Sequence, residues 1–462
     1  MSAPILWIGM PLLVAIFLWT IRKDERRTLI WGLGFSIFFF ISSSLVPIGK
    51  PLIRIGEFVF QFSPSISFLG RSFTLRNGDL IYTSLIYVIL FFFISMAFII
   101  DVPVKFVPLS FFLTGLFIGA LSVQPFLYAA LLLEICVILS VVLLTSYGKL
   151  PSNGVMRFLI FQSIAMPFML ISGWVLSAIE ANPTETRLIF QALVLLGLGF
   201  SFWLGVFPFN AWMTQISEEK PPFEVGFVLL LFNTATLILI IRYLDGFVWL
   251  RDDARIFIVL RFIGILLLAS SSLFFFFEKN IYRTTAYLIS FETGLSLISL
   301  SLNDTGGWNA FVLMILPRIM AISLWSVLLT FIQQLEENNT EKQALSIHPA
   351  MIFGFFLSTF SIAGIPVLPA FYSRLSLFES LAKKDFTAMI WVTICILVFL
   401  LSSIRFIRKI QKLYSPRIDV QISRTEKLYL YGWNLLFLLI GVFPLPLYKT
   451  LLSMLQAFPN LK

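Results

Sequence analysis

The sequence predicts an all-α, polytopic membrane protein of about fourteen transmembrane helices, on the ruler of ~20 apolar residues per bilayer crossing. Three observations predict it. Apolar residues make up 59% of the 462, charged residues only 12%, and the mean hydropathy is +0.95, against roughly 45–50% apolar and about 25% charged in soluble domains. The apolar residues fall in span-length runs, and short loops between them hold the Lys and Arg residues, as membrane proteins place them. Two runs are interrupted in corresponding places, one at Pro208 in Val206-Phe207-Pro208-Phe209-Asn210-Ala211-Trp212, the other at Gly364 and Pro366 in Ser361-Ile362-Ala363-Gly364-Ile365-Pro366-Val367-Leu368-Pro369-Ala370-Phe371. Proline lacks the N–H and crowds the preceding turn, so each helix must kink or stop. Helices broken at membrane depth are tolerated only where they are buried in protein or line a wet cavity, and a matched pair of breaks suggests an inverted repeat.

In chain order, the first spans are 3–21 and 28–47. No basic segment precedes the first run and Arg22-Lys23-Asp24-Glu25-Arg26-Arg27 follows it at once, which reads as a retained span, not a cleaved signal. Residues 49–79 form the longest polar connection and alternate in Glu57-Phe58-Val59-Phe60-Gln61-Phe62 and Ser72-Phe73-Thr74-Leu75, the pattern of an extramembrane hairpin or a surface-lying segment. Spans 80–100, 106–121, 125–146, 155–176 and 188–207 lead to the first break, and 223–241 leaves it. Spans 256–277, 284–302, 308–332, 349–381 (through the second break), 387–407 and 428–451 complete the chain. No Gly/Ser-rich linker separates them, so one membrane domain is expected. Summed over alternate loops, Lys and Arg number about 18 on the side of residues 22–27 and about 13 opposite, which puts the former inside and both termini outside.

The net charge of +9 does not indicate nucleic-acid binding, because the cations are loop residues of a membrane protein. Cys136 and Cys395 lie inside apolar runs and His348 is the only histidine, so neither a disulfide framework nor a metal or haem site is expected. No nucleophile–base pair, metal cluster or phosphate loop supports a free-standing enzyme.

Ionisable groups within apolar spans cost at least about 2.5–3.5 kcal/mol each and are functional candidates. Glu134, in Leu131-Leu132-Leu133-Glu134-Ile135-Cys136, is the clearest; the alternative is a carboxyl held neutral or paired with an arginine for packing. A carboxyl buried in low dielectric has the proton affinity that a relay needs. Arg374 follows the second break, placed to face a cavity or to cap a half-helix carbonyl end. Glu292 and Arg318 occupy the middle of neighbouring spans and are placed to pair, as a structural salt bridge or a conducting element. Arg157, Arg242, Arg283 and Arg405 lie nearer span ends, where snorkelling to the interface is expected.

At these residues the chain resembles the antiporter-like membrane subunits of respiratory complex I, which are similar in turn to subunits of multisubunit cation/proton antiporters. Leu131-Leu132-Leu133-Glu134 looks like the family's fifth-helix glutamate motif, Pro208-Phe209-Asn210-Ala211-Trp212 like its Pro-Phe-His-x-Trp break, and Ser361-Ile362-Ala363-Gly364-Ile365-Pro366 with Phe371-Tyr372-Ser373-Arg374 like its second break. Arg283 with Ala286-Tyr287 is a weaker fourth match. The resemblance implies N-terminal helices and hairpin over 1–105, inverted five-helix repeats over 106–244 and 255–409, and a C-terminal helix in 410–462. It also implies a proton path of a glutamate, two lysines, and a lysine or glutamate at the second break. Glu134 fits the glutamate, but Trp203 and Asn233 stand where the two lysines belong, Glu292 where histidine is frequent, and Arg374 at the last position; arginine is a poor proton carrier.

The function so implied is that of a membrane-arm subunit of a complex I-like proton pump. Its path, through Glu134, Glu292, Arg318 and Arg374, is partly degenerate. Alternatives are a non-conducting structural subunit or a subunit of a cation/proton antiporter. Expected partners are other membrane subunits and the lipid bilayer, with quinone and redox cofactors confined to partner subunits and no cofactor in this chain. The expected location is an energy-transducing membrane: bacterial inner membrane, organelle inner membrane or thylakoid.

Overall fold

A computed structural model of the chain describes residues 2–55, 58–181, 185–338, 346–416 and 423–461. Helix α1 (Met10–Ile21) extends a π-turn over Ile5–Gly9, and α2 (Glu25–Leu45) returns from it. Asp24 starts α2 by accepting the Arg27 N–H at 3.1 Å, an N-cap that satisfies one of the orphan donors of a helix start. The polar stretch that follows forms two antiparallel hairpins, β1 (Pro51–Ile55) with β2 (Phe58–Gln61) and β3 (Ser65–Phe68) with β4 (Arg71–Thr74). Strand β4 also pairs with β5 (Val123–Gln124), which ties the hairpins to the helices.

Helices α3 (Leu80–Met96), α4 (Phe106–Ser122), α5 (Ala129–Leu144), α6 (Asn153–Ala181), α7 (Thr186–Leu204), α8 (Ala211–Glu219) and α9 (Pro222–Gly246) make up the first half. The short α10 (Val248–Asp252) leads to α11 (Ala254–Phe277), α12 (Thr284–Ser301), α13 (Thr305–Asn338), α14 (Pro349–Ala363), α15 (Phe371–Lys384) and α16 (Phe386–Leu413). Strands β6 (Ser346–Ile347) and β7 (Ser415–Pro416) pair in parallel, and α17 (Arg424–Val442) and α18 (Leu445–Leu452) close the chain. Among the described residues nine helices are long and apolar enough to cross a membrane, ten if the sharply bent α17–α18 pair is one span.

Burial sorts these helices into an axis and a periphery. The apolar stretches of α9 and α13 are 100% and 94% buried, whereas those of α2 and α7 are 33% and 28% buried and present the rest to lipid. Every residue of α12 is buried. Helices α11 and α12 approach backbone to backbone, since a Cβ on Gly264 would lie 2.9 Å from the Gly294 carbonyl and one on Gly294 the same distance from the Gly264 carbonyl. Small residues give this close crossing in membranes, and it holds Glu292, two residues from Gly294, inside the protein.

Both termini lie on the face of the hairpins. The Ala3 N–H donates to the Ser63 carbonyl at 2.8 Å, and the Asn460 N–H to the Asp245 carboxylate at 2.8 Å.

Candidate functional site

The two interruptions share one backbone design. Helix α7 ends at Leu204 with Gly205 in the left-handed region (φ +60°), and α14 ends at Ala363 with Gly364 there (φ +82°). At each, the next residue reaches back five positions: the Val206 N–H to the Ser201 carbonyl at 2.9 Å, and the Ile365 N–H to the Phe360 carbonyl at 3.1 Å. This is the 6→1 bond of a glycine-terminated helix. The first helix therefore stops three residues ahead of Pro208, where proline alone was expected to break it; Gly205 ends it, and Pro208 lies inside the non-helical connection. Gly364 and Pro366 both lie in the second connection.

Around the second break the structure brings three of the sequence candidates together. Arg374, in the first turn of α15, folds back so that Nε and Nη2 donate to the Ile362 carbonyl at 3.1 and 2.9 Å. It thereby caps the broken end of α14, and Nη2 also pairs with Glu292 Oε1. Arg318 approaches the same carboxylate from α13, Nε to Oε2 at 3.6 Å. All three side chains are buried, at 3%, 0% and 1% exposure for Arg374, Arg318 and Glu292. Arg318 further donates Nη1 to Asn233 Oδ1 at 3.1 Å and Nη2 to the Glu292 carbonyl at 3.3 Å and to Ser296 Oγ. Asn233 in turn donates Nδ2 to Thr293 Oγ1 at 2.6 Å. Pro317, inside α13, removes one helical hydrogen bond just before Arg318, which loosens the helix where the guanidinium leaves it.

The cluster is one carboxylate between two guanidiniums, a net single positive charge in the protein interior. Breaking a buried ion pair by deleting one partner costs about 3–5 kcal/mol, because the remaining charge is left uncompensated. Glu292 Oε2, Arg318 Nε and Arg374 Nη1 are buried without a hydrogen-bond partner among the described residues, the polar surroundings in which an interior water is held. Arginine stays charged in proteins, so neither guanidinium serves as a proton carrier.

Glu134 stands apart from this cluster. It is half-buried on α5, not enclosed as the run of leucines around it suggested, and it accepts a 2.5 Å hydrogen bond from Ser163 Oγ of α6. Leu131 and Ile135 beside it are exposed, so it lies on an outward-facing side of the helix. No arginine pairs with it among the described residues.

Trp203 is 3% exposed, stacks edge-on against Phe200 at 5.8 Å, and lends its carbonyl to Gln162 Nε2 at 3.3 Å. Phe202 and Phe209 meet across the first break at 4.5 Å. An apolar crevice of about 430 Å³ adjoins it, lined by Ser201, Leu204, Val206, Ile240 and Tyr243 among others. Trp203 thus fills its position as packing, while Asn233 joins the charge cluster as a hydrogen-bond bridge.

Arg242 corrects an expectation. Placed near a span end it should snorkel, yet it is buried, paired with Asp79 at 3.1 Å and bonded to the Tyr82 hydroxyl. The partner comes from the short turn Asn77–Asp79 that leads into α3. Arg157 and Arg405 are exposed as expected, and Arg283 pairs with Glu218 at 2.5 Å while staying partly exposed.

Two groups escaped the sequence reading. Glu224, in the first turn of α9, is 4% exposed, accepts no hydrogen bond among the described residues, and borders a cavity of about 220 Å³ with Asp101, Thr330, Gln333 and Glu337. An acidic residue just after Pro221-Pro222 reads as ordinary helix-start charge, and only packing shows it enclosed. Lys105, in the loop before α4, donates to the carbonyls of Val142 (2.7 Å) and Thr145 at the end of α5; loss of hydration on burial lowers its pKa. No cluster of three or more His, Cys, Asp or Glu side chains able to hold a metal occurs among the described residues.

The fold is that of a multi-pass, antiporter-like membrane protein. The family model described as NADH:quinone oxidoreductase/Mrp antiporter, TM, matches residues 175–400, a segment that holds both breaks and the charge cluster. This match upholds the resemblance read from the motifs. Subunit N 1 of the NADH-quinone oxidoreductase of Thermodesulfovibrio yellowstonii is 26% identical over 251 residues, 50% of this chain and 52% of that protein; the chain's match thus spans about half the length of this relative. Among solved structures, a chain of the membrane-bound sulfane sulfur reductase, an archaeal respiratory membrane complex, superposes with a TM-score of 0.80 at 19% identity, covering 100% of this chain and 98% of that one. A chain of the Mrp complex from Dietzia sp. DQ12-45-1b superposes with a TM-score of 0.79 at 15% identity, with coverage of 100% and 98%. These likenesses show the fold.

Proposed function

We propose that this chain is a membrane-arm subunit of a complex I-like, redox-driven proton pump, with a proton path that no longer uses the lysine relay. The observation that carries the reading is the buried Arg374–Glu292–Arg318 cluster at the second break, within the segment matched to the NADH:quinone oxidoreductase/Mrp antiporter family. Charges at membrane depth persist where they serve transport or pair internally, and here three of them meet at a helix break. Protons then move by way of Glu134, Glu292 and bound waters, with Trp203 and Asn233 replacing groups that would have carried them.

In this reading the chain crosses the membrane fourteen times, counting each broken pair, α7–α8 and α14–α15, as one crossing. Segments 106–244 and 255–409 are the two inverted repeats, preceded by helices and hairpins over 1–105 and followed by the helix in 410–462. The shared glycine-capped geometry of the two breaks supports the repeat. Other membrane subunits surround the chain in an energy-transducing bilayer, such as a bacterial inner membrane. Quinone and redox cofactors sit in partner subunits; this chain binds none and is not catalytic alone.

The test is purification of the tagged chain in mild detergent from its own membrane, with mass spectrometry of what accompanies it and a quinone-reduction assay. Co-purifying redox subunits with quinone-reductase activity is the expected result. Recovery with small membrane subunits only, without redox activity, favours the second reading, a cation/proton antiporter subunit, which the likeness to the Mrp chain supports.

A further inference from the structure

The end of α16 carries Arg405, Arg408, Lys409 and Lys412, at spacings of three, four and seven residues from the first, which places them on one helical face. Below them on the same side, Ile390, Ile394, Leu397 and Leu401 are exposed at 44–58%. This apolar stripe runs directly into the basic cap. Helix α11, packed alongside, ends there with Leu273, Phe274 and Phe277 also exposed.

Between the two helix ends lies a cavity of about 110 Å³, bordered by Arg405, Lys409, Lys279, Asn280 and Thr284. The Arg405 guanidinium is held over the Phe276 ring, 4.9 Å from its centroid, and donates no hydrogen bond among the described residues. Its planar set of N–H donors is thus positioned and unspent. Lys409 is fixed nearby by its bond to the Lys279 carbonyl. The one carboxylate at the cavity, Glu278, is occupied by the N–H groups of Lys279 and Asn280 at 2.8 and 2.9 Å and by the Tyr287 hydroxyl at 2.9 Å. Arg408 and Lys412 have neither an ion pair nor a hydrogen bond among the described residues and remain open to the surface.

We propose that this corner is a binding site for an anionic phospholipid. The headgroup phosphate is held by Arg405 and Lys409, with Arg408 and Lys412 adding attraction, and the acyl chains lie along the α16 stripe and the end of α11. Guanidinium groups match phosphate geometry with two parallel donors, and basic pockets between helices at a membrane surface select anionic headgroups. The charge sum places this end of α16 on the inner side, where anionic lipid supplies the complementary charge. The site is independent of the proton path.

The test uses the full chain in mild detergent, delipidated, with thermal melting and native mass spectrometry after addition of phosphatidylglycerol, phosphatidylcholine or inorganic phosphate. Phosphatidylglycerol should raise the melting temperature and appear as a retained adduct, while phosphatidylcholine and phosphate leave both unchanged. The double variant Arg405→Gln/Lys409→Gln should bind phosphatidylglycerol about 10- to 30-fold more weakly; Arg157→Gln, an exposed arginine on α6, should bind as wild type. Both change exposed or surface groups, and the melting temperature without lipid reports whether either is misfolded. Should that double variant prove misfolded, Arg408→Gln/Lys412→Gln, which alters only open surface cations, is expected to weaken binding in the same direction. Equal binding of phosphatidylcholine, a phosphate effect as large as the lipid effect, or undiminished phosphatidylglycerol binding by the folded variants would overturn the proposal.

Discussion

The two helix breaks begin on the same glycine cap and have opposite chemistry. In each, the preceding helix ends on a left-handed glycine with the same back-reaching hydrogen bond. The first is lined by Trp203, Phe200, Phe202 and Phe209 and borders an apolar crevice, whereas the second is organised by Arg374, Glu292 and Arg318. A discontinuous helix is therefore a scaffold feature that local residues encode. Whether it serves ion movement depends on what neighbouring helices bring to it. In this chain the second break holds charges and the first holds aromatic packing.

The sharpest way to break that comparison is to remove the one acid of the cluster. Glu292→Gln leaves Arg318 and Arg374 without a counter-charge and is expected to cost about 3–5 kcal/mol, read as a large fall in melting temperature of the purified protein. A loss under about 1 kcal/mol would mean that the arginines find other partners, and the cluster would then not be what holds the second break.

The glycines come next. Alanine at Gly205 meets a positive φ and a flexible neighbour, Met213 Sδ at 2.6 Å, for an expected loss of about 1–2 kcal/mol. At Gly364 the added Cβ falls 2.4 Å from Arg374 Cγ, so Arg374 is displaced from the Ile362 carbonyl as well, and roughly 2–4 kcal/mol should be lost. Parallel melting of the two variants tests the order; equal losses would show that the charge cluster adds nothing to the cap.

A smaller difference is pH-dependent. Helix α14 starts on His348, whose Nδ1 accepts the Ala350 N–H at 3.2 Å, whereas α7 starts without a side-chain cap. Loss of hydration, and secondarily the positive Lys427, hold the His348 pKa below its ordinary value. The unfolded chain therefore takes up this proton first as pH falls. The cap's contribution is full above about pH 6.5 and declines below it until the folded pKa is passed. His348→Asn should keep the cap and abolish that part of the pH dependence, and His348→Ala should cost about 0.5–2 kcal/mol at neutral pH. Melting curves between pH 5 and 8 compare the three proteins, and an unchanged profile in His348→Asn would exclude the cap as the cause.

Smallest in stability is Glu134→Gln, expected within about 0.5 kcal/mol of wild type, since a half-buried amide still accepts from Ser163. Its predicted effect is on proton translocation by the intact assembly, which should fall. Unchanged translocation with normal assembly would remove Glu134 from the path and leave the first half of the chain as structure alone.

Much of this was legible in the chain itself. Twenty-residue apolar runs declare spans because the bilayer core has a fixed thickness. Gly364 and Pro366 declare a break because few other residues can end a helix that way. Mid-span Glu292, Arg318 and Arg374 declare a buried polar site because lipid excludes lone charges. Even so, the first break was read from Pro208, three residues beyond the glycine that ends α7, since the conspicuous residue was not the one whose φ mattered.

What only the tertiary structure decided were relations between distant residues. Glu292 and Arg374 lie 82 positions apart and Asp79 and Arg242 lie 163 apart, and no local pattern specifies such pairings. Burial likewise depends on neighbours: Glu134, amid leucines, turns outward, while Glu224, in an unremarkable helix start, is enclosed by α13 and the loop before α4. Sequence fixes which groups are costly to leave alone in a membrane, because that follows from residue type and the solvent. Which group meets which is set by helix packing, because it follows from the whole set of contacts.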